Sequence, residues 1–169
     1  LDQMKDMELA STTFGQGFTS TMIQEISAIS AVINGGTYYQ PHVVKEIKSQ
    51  EDGSVLKTNE GNVLKQIVSS DVSEKIREYM GMSVTSGTSR KSKVQGYSMG
   101  GKTGTAEILS TKEKDYLVSF IGFAPLDTPQ VVVYVVVDRP NVEEQADSSY
   151  AQYIAQAILD EILPYMNIY

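Results

Sequence analysis

The chain has 169 residues, no cysteine and a net charge of −7, from 14 basic against 21 acidic side chains. Its length suffices for one domain with a buried core, and the lack of cysteine excludes disulfides, thiolate metal sites and a cysteine nucleophile. An acidic chain repels phosphate backbones and anionic lipid, so we expect neither a nucleic-acid partner nor binding to a membrane surface. The sequence has no apolar run of about 18 residues that could span a bilayer.

The first predicted elements are a loop over residues 11–20 and a helix that begins at Thr21. Thr21 can cap this helix, with Gln24 in capping-box position. The apolar residues of one helical face recur at helical spacing: Met22, Ile26, Ile29 and Ile33. The run Asn34-Gly35-Gly36 ends the helix, because glycine readily adopts the left-handed conformation of a C-cap.

The middle of the chain predicts a β-hairpin and a second helix. Residues 42–49 and 54–58 are typical of strands, joined by a polar turn at 50–53. The second helix is predicted from Ser70, its expected cap, to about Thr85, with Val72, Ile76 and Tyr79 on its buried side. A loop over 86–96 follows, and its short basic run favours a solvated segment: Arg90, Lys91 and Lys93.

Three strands and a last helix are predicted in the remaining sequence. The strands are 97–109, 116–124 and 131–137. The unbroken apolar run of the third predicts a central strand covered on both faces. The short polar connections 110–115 and 125–130 favour antiparallel hairpins. The helix, about 148–163 and ended by Pro164, carries an apolar stripe that should lie across the sheet: Ala151, Ile154, Ala155, Ile158, Leu159, Ile162 and Leu163. The predicted fold class is α+β, an antiparallel sheet with the C-terminal helix packed on it.

The segment that carries chemistry is Gly100-Gly101-Lys102-Thr103-Gly104-Thr105-Ala106. Several glycines weaken a strand, and one reason for them is the close approach of a ligand or of another backbone. Thr103 and Thr105 share one face of the strand and Lys102 points to the other. Together they offer hydroxyl donors and a positive charge suited to a carboxylate.

Two other interpretations of this segment remain open. A lone Lys-Thr-Gly can be a chance tripeptide in an edge strand. The sequence from Gly96 to Thr103 also fits the consensus of a phosphate-binding loop. That loop must precede a helix, however, and here a strand is predicted to follow. No metal-ligand spacing is present, and we expect no metal or cofactor.

The context of the motif resembles a known family. Four sequence blocks resemble motifs of penicillin-binding transpeptidases and occur in the same order as in that family. The blocks are Thr13-Phe14-Gly15-Gln16-Gly17 with Thr21 and Gln24, then residues 34–44, 96–107 and 119–125. Within the family, the pattern is most similar to that of class B enzymes. The resemblance implies that residues 1–169 are the C-terminal portion of a transpeptidase domain with a partial β-lactamase-like fold. The first residues resemble sequence from the middle of a domain, so we expect this chain to be a fragment of a longer protein.

The resemblance implies a role for each matching residue. Lys102 would set the electrostatics around the serine nucleophile, and Thr103, Gly104 and Thr105 would hold the carboxylate of a peptidoglycan stem peptide or a β-lactam. The backbone N–H of Thr105 would form half of the oxyanion hole. We expect the parent protein to be a serine D,D-transpeptidase, anchored outside this chain and placed on the extracytoplasmic face of the bacterial membrane.

The two motifs that carry the family's serine nucleophile and its neighbouring polar residues are not found in this sequence in a suitable setting. The chain has no Ser-x-Asn motif, and its Ser-x-x-Lys match, Ser54-Val55-Leu56-Lys57, lies on a predicted hairpin, where Ser and Lys point to opposite faces. We therefore expect the isolated chain to be inactive and to need the remainder of its own domain as a partner. The family's usual Thr-Pro is here Thr21-Met22, which we interpret as harmless.

The second function hypothesis is a non-catalytic module that binds a partner or the cell wall. Among other residues, we expect a structural or surface role for His42, solvated positions for Glu143 and Glu144, and a plain loop for Ser86-Gly87-Thr88-Ser89. The resemblance also implies further strands from the N-terminal part of the domain. One edge of the three-stranded sheet should then be open, and we expect self-association through it.

Overall fold

The computed structural model describes residues 5–13, 15–108 and 114–168 of the chain. These residues form four α-helices and seven β-strands. The helices are α1 (Asp6–Thr12), α2 (Met22–Ile33), α3 (Ser70–Thr85) and α4 (Ser149–Tyr165). The strands are β1 (Thr37–Tyr39), β2 (Glu46–Lys48), β3 (Val55–Thr58), β4 (Val63–Gln66), β5 (Gly100–Ile108), β6 (Asp115–Ala124) and β7 (Val131–Asp138).

The main sheet consists of β5, β6 and β7 in that order, with both neighbouring pairs antiparallel. The register pairs Gly100 with Phe123 on one side of β6 and Ala124 with Val131 on the other. The three predicted strands and their antiparallel arrangement are therefore confirmed. Most of the predicted connection 110–115 lies outside the described residues.

The prediction that residues 131–137 form a central strand is wrong. Within the described residues β6 is central and β7 is at an edge. The apolar run arises because helices cover both faces of β7: Val135 packs in a cluster with Ala151 and Ala155 of α4, and Val132 packs with residues of α2 and α3. An apolar run indicates that both faces of a strand are covered. It does not indicate whether the edge of the strand is paired with another strand.

α4 lies across one face of the sheet, as predicted. Ala151, Ala155, Leu159 and Leu163 are fully buried. Two details differ from the prediction. The helix runs through Pro164 to Tyr165, because a proline in the last turn removes a single backbone hydrogen bond. Ile154 and Ile158 of the expected stripe are 46% and 39% exposed, since they lie on a flank of the helix rather than against the sheet.

α2 and α3 cover the opposite face of the sheet. A buried cluster joins Ile33 of α2 and Met80 of α3 to Ile121 and Phe123 of β6. The predicted cap of α2 is confirmed: the Thr21 hydroxyl accepts from the backbone N–H of Gln24, and the Gln24 side chain accepts from the N–H of Thr21. Of the predicted apolar face, Ile26, Ile29 and Ile33 pack in the cluster, whereas Met22 is 53% exposed.

The predictions for the cap and buried side of α3 need correction. The cap is Ser69, whose hydroxyl accepts from the N–H of Val72, and Ser70 is the first helical residue. Val72 and Tyr79 are 45% and 58% exposed, whereas Ile76 is half-buried and packs against the core cluster, as predicted. The buried stripe is shifted by one position and includes small residues, which carry little apolar signal: Ser73, Met80, Gly81 and Val84.

Residues 37–66 form two small two-stranded sheets, β1 with β4 and β2 with β3. The predicted strand 42–49 is confirmed only for Glu46–Lys48, and β1, β4 and α1 were not predicted. β2, β3 and β4 are exposed along their whole length, so burial gives these strands no strong sequence pattern. Within the part of the chain that the structure describes, no helix combines the length and apolarity that crossing a membrane requires.

Candidate active site

The predicted site residues lie on β5, at the edge of the sheet. The register places Lys102 opposite Ile121, Thr103 opposite Phe120 and Thr105 opposite Val118. Phe120 packs beneath α4, so Thr103 and Thr105 share the α4 side of the sheet, while Lys102 lies on the side of α2 and α3. This confirms the predicted alternation. Lys102 and Thr105 are exposed and Thr103 is half-buried.

No strand of the described residues pairs with the outer edge of β5. The carbonyl of Gly101 accepts from the Ser89 hydroxyl at 3.4 Å, and the carbonyl of Thr103 accepts from Lys102 Nζ at 2.7 Å. Backbone groups of alternate residues point to the same side of an antiparallel strand, so the N–H and C=O of Thr105 also point away from β6. The Lys102 ammonium lies at this same edge, and no carboxylate of the described residues lies within ion-pair distance of it.

Two glycines of the motif have a different cause from the one expected. A Cβ on Gly101 would lie 2.4 Å from the Phe120 ring, and a Cβ on Gly100 would lie 2.4 Å from the Phe123 ring. These glycines make room for aromatic rings of β6, so core packing and not a ligand explains them. A Cβ on Gly104 would meet only the Ser119 hydroxyl.

The loop between α3 and β5 lies against the candidate site. The Thr88 and Thr103 hydroxyls are 3.2 Å apart. Ser89 is fully buried, and its hydroxyl also pairs with that of Ser83 at 2.8 Å. Residues 86–89, expected to be a plain loop, therefore border the site. The run of hydroxyl side chains directly before the motif strand was the available signal that they border the site.

A groove of about 770 Å³ opens beside the far end of β5. The loop before α2 forms one wall, and residues of all three strands of the sheet form the rest. The described lining residues include Thr105 but no lysine or arginine: Gly15, Gln16, Gly17, Phe18, Thr19, Ser20, Met22, Glu25, Thr105, Ala106, Glu107, Ile108, Leu117, Ser119, Tyr134 and Val136. The strand therefore has a cation at Lys102 and an open, mostly apolar groove beyond Thr105.

The one Ser-x-x-Lys match in the sequence, Ser54 to Lys57, lies in the β2–β3 hairpin and away from this edge. Ser54 is in the turn between β2 and β3, where its hydroxyl donates to the Asp52 carboxylate at 2.8 Å. This bond, with a further one from Ser49, lowers the pKa of Asp52 to about 2. The Ser54 hydroxyl is engaged in a solvent-exposed turn, an environment that does not activate a nucleophile.

The remaining candidate residues have ordinary surroundings. His42 is exposed, and its Nδ1 lies 3.2 Å from the Gln40 carbonyl. Glu143 and Glu144 are exposed in the loop after β7. The segment from Gly96 to Thr103 continues into β5 and not into a helix, so the helix N-terminus required by a phosphate-binding loop is missing there.

Comparison with known proteins adds independent information on this chain. A family model described as the penicillin-binding protein transpeptidase domain matches residues 2–160. Stage V sporulation protein D of Bacillus subtilis is 39% identical over 171 residues, which cover 99% of this chain and 26% of that protein. The peptidoglycan D,D-transpeptidase MrdA of Acinetobacter baumannii is 31% identical over 76% of this chain and 21% of its own length.

Solved structures have the same fold. The transpeptidase domain of penicillin-binding protein 3 from Burkholderia pseudomallei superposes with a TM-score of 0.79 at 25% identity, covering 99% of this chain and 49% of that one. A peptidoglycan synthetase from Bifidobacterium adolescentis gives a TM-score of 0.84 at 23% identity. The chain spans about a quarter of the length of the curated relatives it matches. With a family model along nearly its whole length, the chain belongs to the penicillin-binding protein transpeptidase family.

Proposed function

We propose that this chain is the C-terminal part of the catalytic domain of a peptidoglycan D,D-transpeptidase. The parent protein cross-links stem peptides through an acyl-serine intermediate and is acylated by β-lactams. This chain supplies the Lys-Thr-Gly strand. The observation that carries the proposal is the outer edge of β5, which no strand of the described residues pairs. There the Lys102 ammonium donates to the carbonyl of Thr103, the Thr103 hydroxyl lies 3.2 Å from that of Thr88, and Thr105 borders the groove.

The proposed substrate contacts follow from the chemistry of that edge. The Lys102 ammonium attracts the carboxylate of the stem peptide or β-lactam, and the Thr103 and Thr105 hydroxyls donate hydrogen bonds to it. The backbone of Gly104 adds no side chain that would obstruct the ligand. The outward N–H of Thr105 stabilises the oxyanion of the tetrahedral intermediate, a type of contact worth about 10²–10³ in rate.

The nucleophile comes from another part of the parent protein. Ser54 is held in a turn by Asp52, and the sequence has no Ser-x-Asn motif. Without the serine the acyl-enzyme path is closed, so the isolated chain is inactive. Its natural partner is the remainder of the domain. The parent acts on the outer side of the bacterial membrane, where peptidoglycan lies, and its anchor is outside residues 1–169.

Covalent labelling by a fluorescent penicillin tests the proposal on the full product of the gene. We expect labelling of the unaltered protein and loss of at least about tenfold in the labelling rate for Lys102→Ala, because the substrate carboxylate loses a charge-assisted contact. Lys57→Ala is the matched control, since Lys57 lies on β3, in a separate sheet from β5, and the substitution should leave labelling unchanged.

Two results would count against the proposal. An unlabelled full-length protein that is folded would favour the alternative of a non-catalytic module that binds the cell wall or a partner. Equal loss of labelling in the Lys102 and Lys57 variants would indicate general damage to the fold and remove the special role of β5.

A further inference from the structure

Thr88 lies between two residues that are fixed to the C-terminal end of α3. A Cβ on Gly87 would lie 2.8 Å from the Cα atom of Ser83, so the backbone of Gly87 packs directly against the helix. The backbone N–H groups of Gly87 and Ser89 both donate to the Ser83 carbonyl, each at 3.1 Å. Because both neighbours are held, the position of the Thr88 hydroxyl depends mainly on one side-chain torsion.

Buried hydrogen bonds tie the same loop to β5 and α4. Ser89 and Ser92 are fully buried, and the Ser92 hydroxyl donates to the Ser89 carbonyl at 2.7 Å. The Ser89 hydroxyl donates to the Gly101 carbonyl of β5. The buried side chain of Gln152 on α4 accepts from the N–H of Lys91 at 3.1 Å. A buried polar group that loses its partner costs free energy, so these bonds hold the loop in place.

The hydroxyls of Thr88 and Thr103 lie 3.2 Å apart, and within the described ranges neither has another hydrogen-bond partner. A hydroxyl has one proton to donate and two lone pairs that accept. In the proposed function the Thr103 hydroxyl donates its proton to a ligand carboxylate. The proton between the two threonines must then come from Thr88.

The location of the Thr88 hydroxyl favours a role toward the ligand over a role in stability. Thr88 is exposed, and the buried bonds of Ser89 and Ser92 hold the loop without it. Hydrogen bonds in a chain polarise one another. A proton donated by Thr88 therefore directs the Thr103 O–H outward and makes it a better donor to an anion.

We propose that Thr88 is a positioning residue of the candidate site, whose hydroxyl donates to that of Thr103 so that Thr103 presents its own proton to the substrate carboxylate. This role rests on the proposed function of β5. Thr88 acts through Thr103 and does not touch the substrate. The group that it serves is the carboxylate of a stem peptide or a β-lactam.

The rate at which benzylpenicillin acylates the full gene product tests this role. Thr88→Val keeps the shape of the side chain and removes the hydroxyl. We expect it to slow acylation about three- to tenfold, the loss typical of one neutral hydrogen bond. Thr88→Ser retains the hydroxyl and should be acylated at the unaltered rate.

Thr85→Val is the matched control for the loss of a hydroxyl. Thr85 is also exposed, but its hydroxyl donates within α3, to the Gly81 carbonyl at 3.1 Å. The substitution should leave the acylation rate unchanged. Thermal unfolding establishes that each variant is folded. A loss in Thr88→Ser as large as that in Thr88→Val would mean that the methyl group matters and not the hydroxyl, and would contradict the proposal.

A probe without the carboxylate separates positioning from general damage to the site. Benzylpenicillin methyl ester has no anion for Thr103 to bind, so Thr88→Val should not slow its reaction. With benzylpenicillin, adding Thr88→Val to Thr103→Val should cause no further loss, because residues that act through one bond are not additive. Equal slowing with both probes would indicate general damage. Additive losses would mean that Thr88 contacts the substrate independently, and either result would overturn the proposal.

The unaltered protein distinguishes a failure of this role from a failure of the proposed function. If the folded, unaltered protein is not acylated, the proposed function is wrong, and the role of Thr88 is wrong with it. If the unaltered protein is acylated and Thr88→Val reacts at the same rate, the proposed function stands and only the role of Thr88 is overturned.

Discussion

Gly101 and Gly122 lie opposite each other on β5 and β6, beneath the ring of Phe120. A Cβ would lie 2.4 Å from the Phe120 ring if built on Gly101 and 2.6 Å from it if built on Gly122. Phe120 is fully buried and packs against Ala151 and Ala155 of α4, so the ring has little freedom to move. The strand that carries the candidate site is therefore fixed to the core by this aromatic contact.

Gly101→Ala should destabilise the chain by about 1–3 kcal/mol, because overpacking a filled core forces side chains or backbone to shift. Urea unfolding measures the loss. Gly104→Ala is the control, since its Cβ would meet the Ser119 hydroxyl, the end of a short side chain that can rotate. Its effect should stay within about 1 kcal/mol. Equal losses in both variants would mean that Phe120 does not explain the glycine.

The pair Asp52 and Ser54 tests whether the Ser-x-x-Lys match begins in a structural turn. The hydrogen bond from Ser54 is the main cause that lowers the pKa of Asp52 from 3.8 to about 2. A lowered carboxyl pKa stabilises the folded turn above pH 3.8, and this contribution is lost as the pH falls through about 2. In an NMR titration, Ser54→Ala should raise the pKa of Asp52. An unchanged pKa would show that the serine hydroxyl is free.

At the scale of elements, the N-terminus of α3 distinguishes two neighbouring serines. The Ser69 hydroxyl accepts the N–H of Val72, so Ser69→Ala should cost about 1 kcal/mol of stability. Ser70 is exposed inside the first turn, and Ser70→Ala should change stability by no more than about 0.5 kcal/mol. Thermal unfolding of both variants gives the comparison, and the reverse order would restore Ser70 as the cap.

The elements also show what sequence patterns could and could not predict. α2 was predictable because its cap, apolar spacing and terminal glycines all agree. The buried side of α3 was not, because Ser73 and Gly81 are buried through close packing rather than apolar character. β7 was predicted as central because both its faces are covered. The exposed strands of residues 37–66 lack the alternation that burial imposes.

At the scale of the whole molecule, the alternation of Lys102 with Thr103 and Thr105 was predictable from strand geometry. The groove beside Thr105 was not, because it needs residues of the loop before α2 to meet residues of β5, β6 and β7. The contact of Thr88 with Thr103 likewise joins a loop to a strand in space. Such contacts depend on how the elements are packed together, which residue patterns within one element do not contain.

We propose that residues 100–106 form a carboxylate-binding strand for a serine that lies elsewhere in the parent protein. Mapping the penicillin adduct tests this proposal: the full gene product is acylated and digested, and the modified peptide is identified by mass spectrometry. We expect the adduct on a serine outside residues 1–169. An adduct on Ser54, or on any other serine within these residues, would contradict the account.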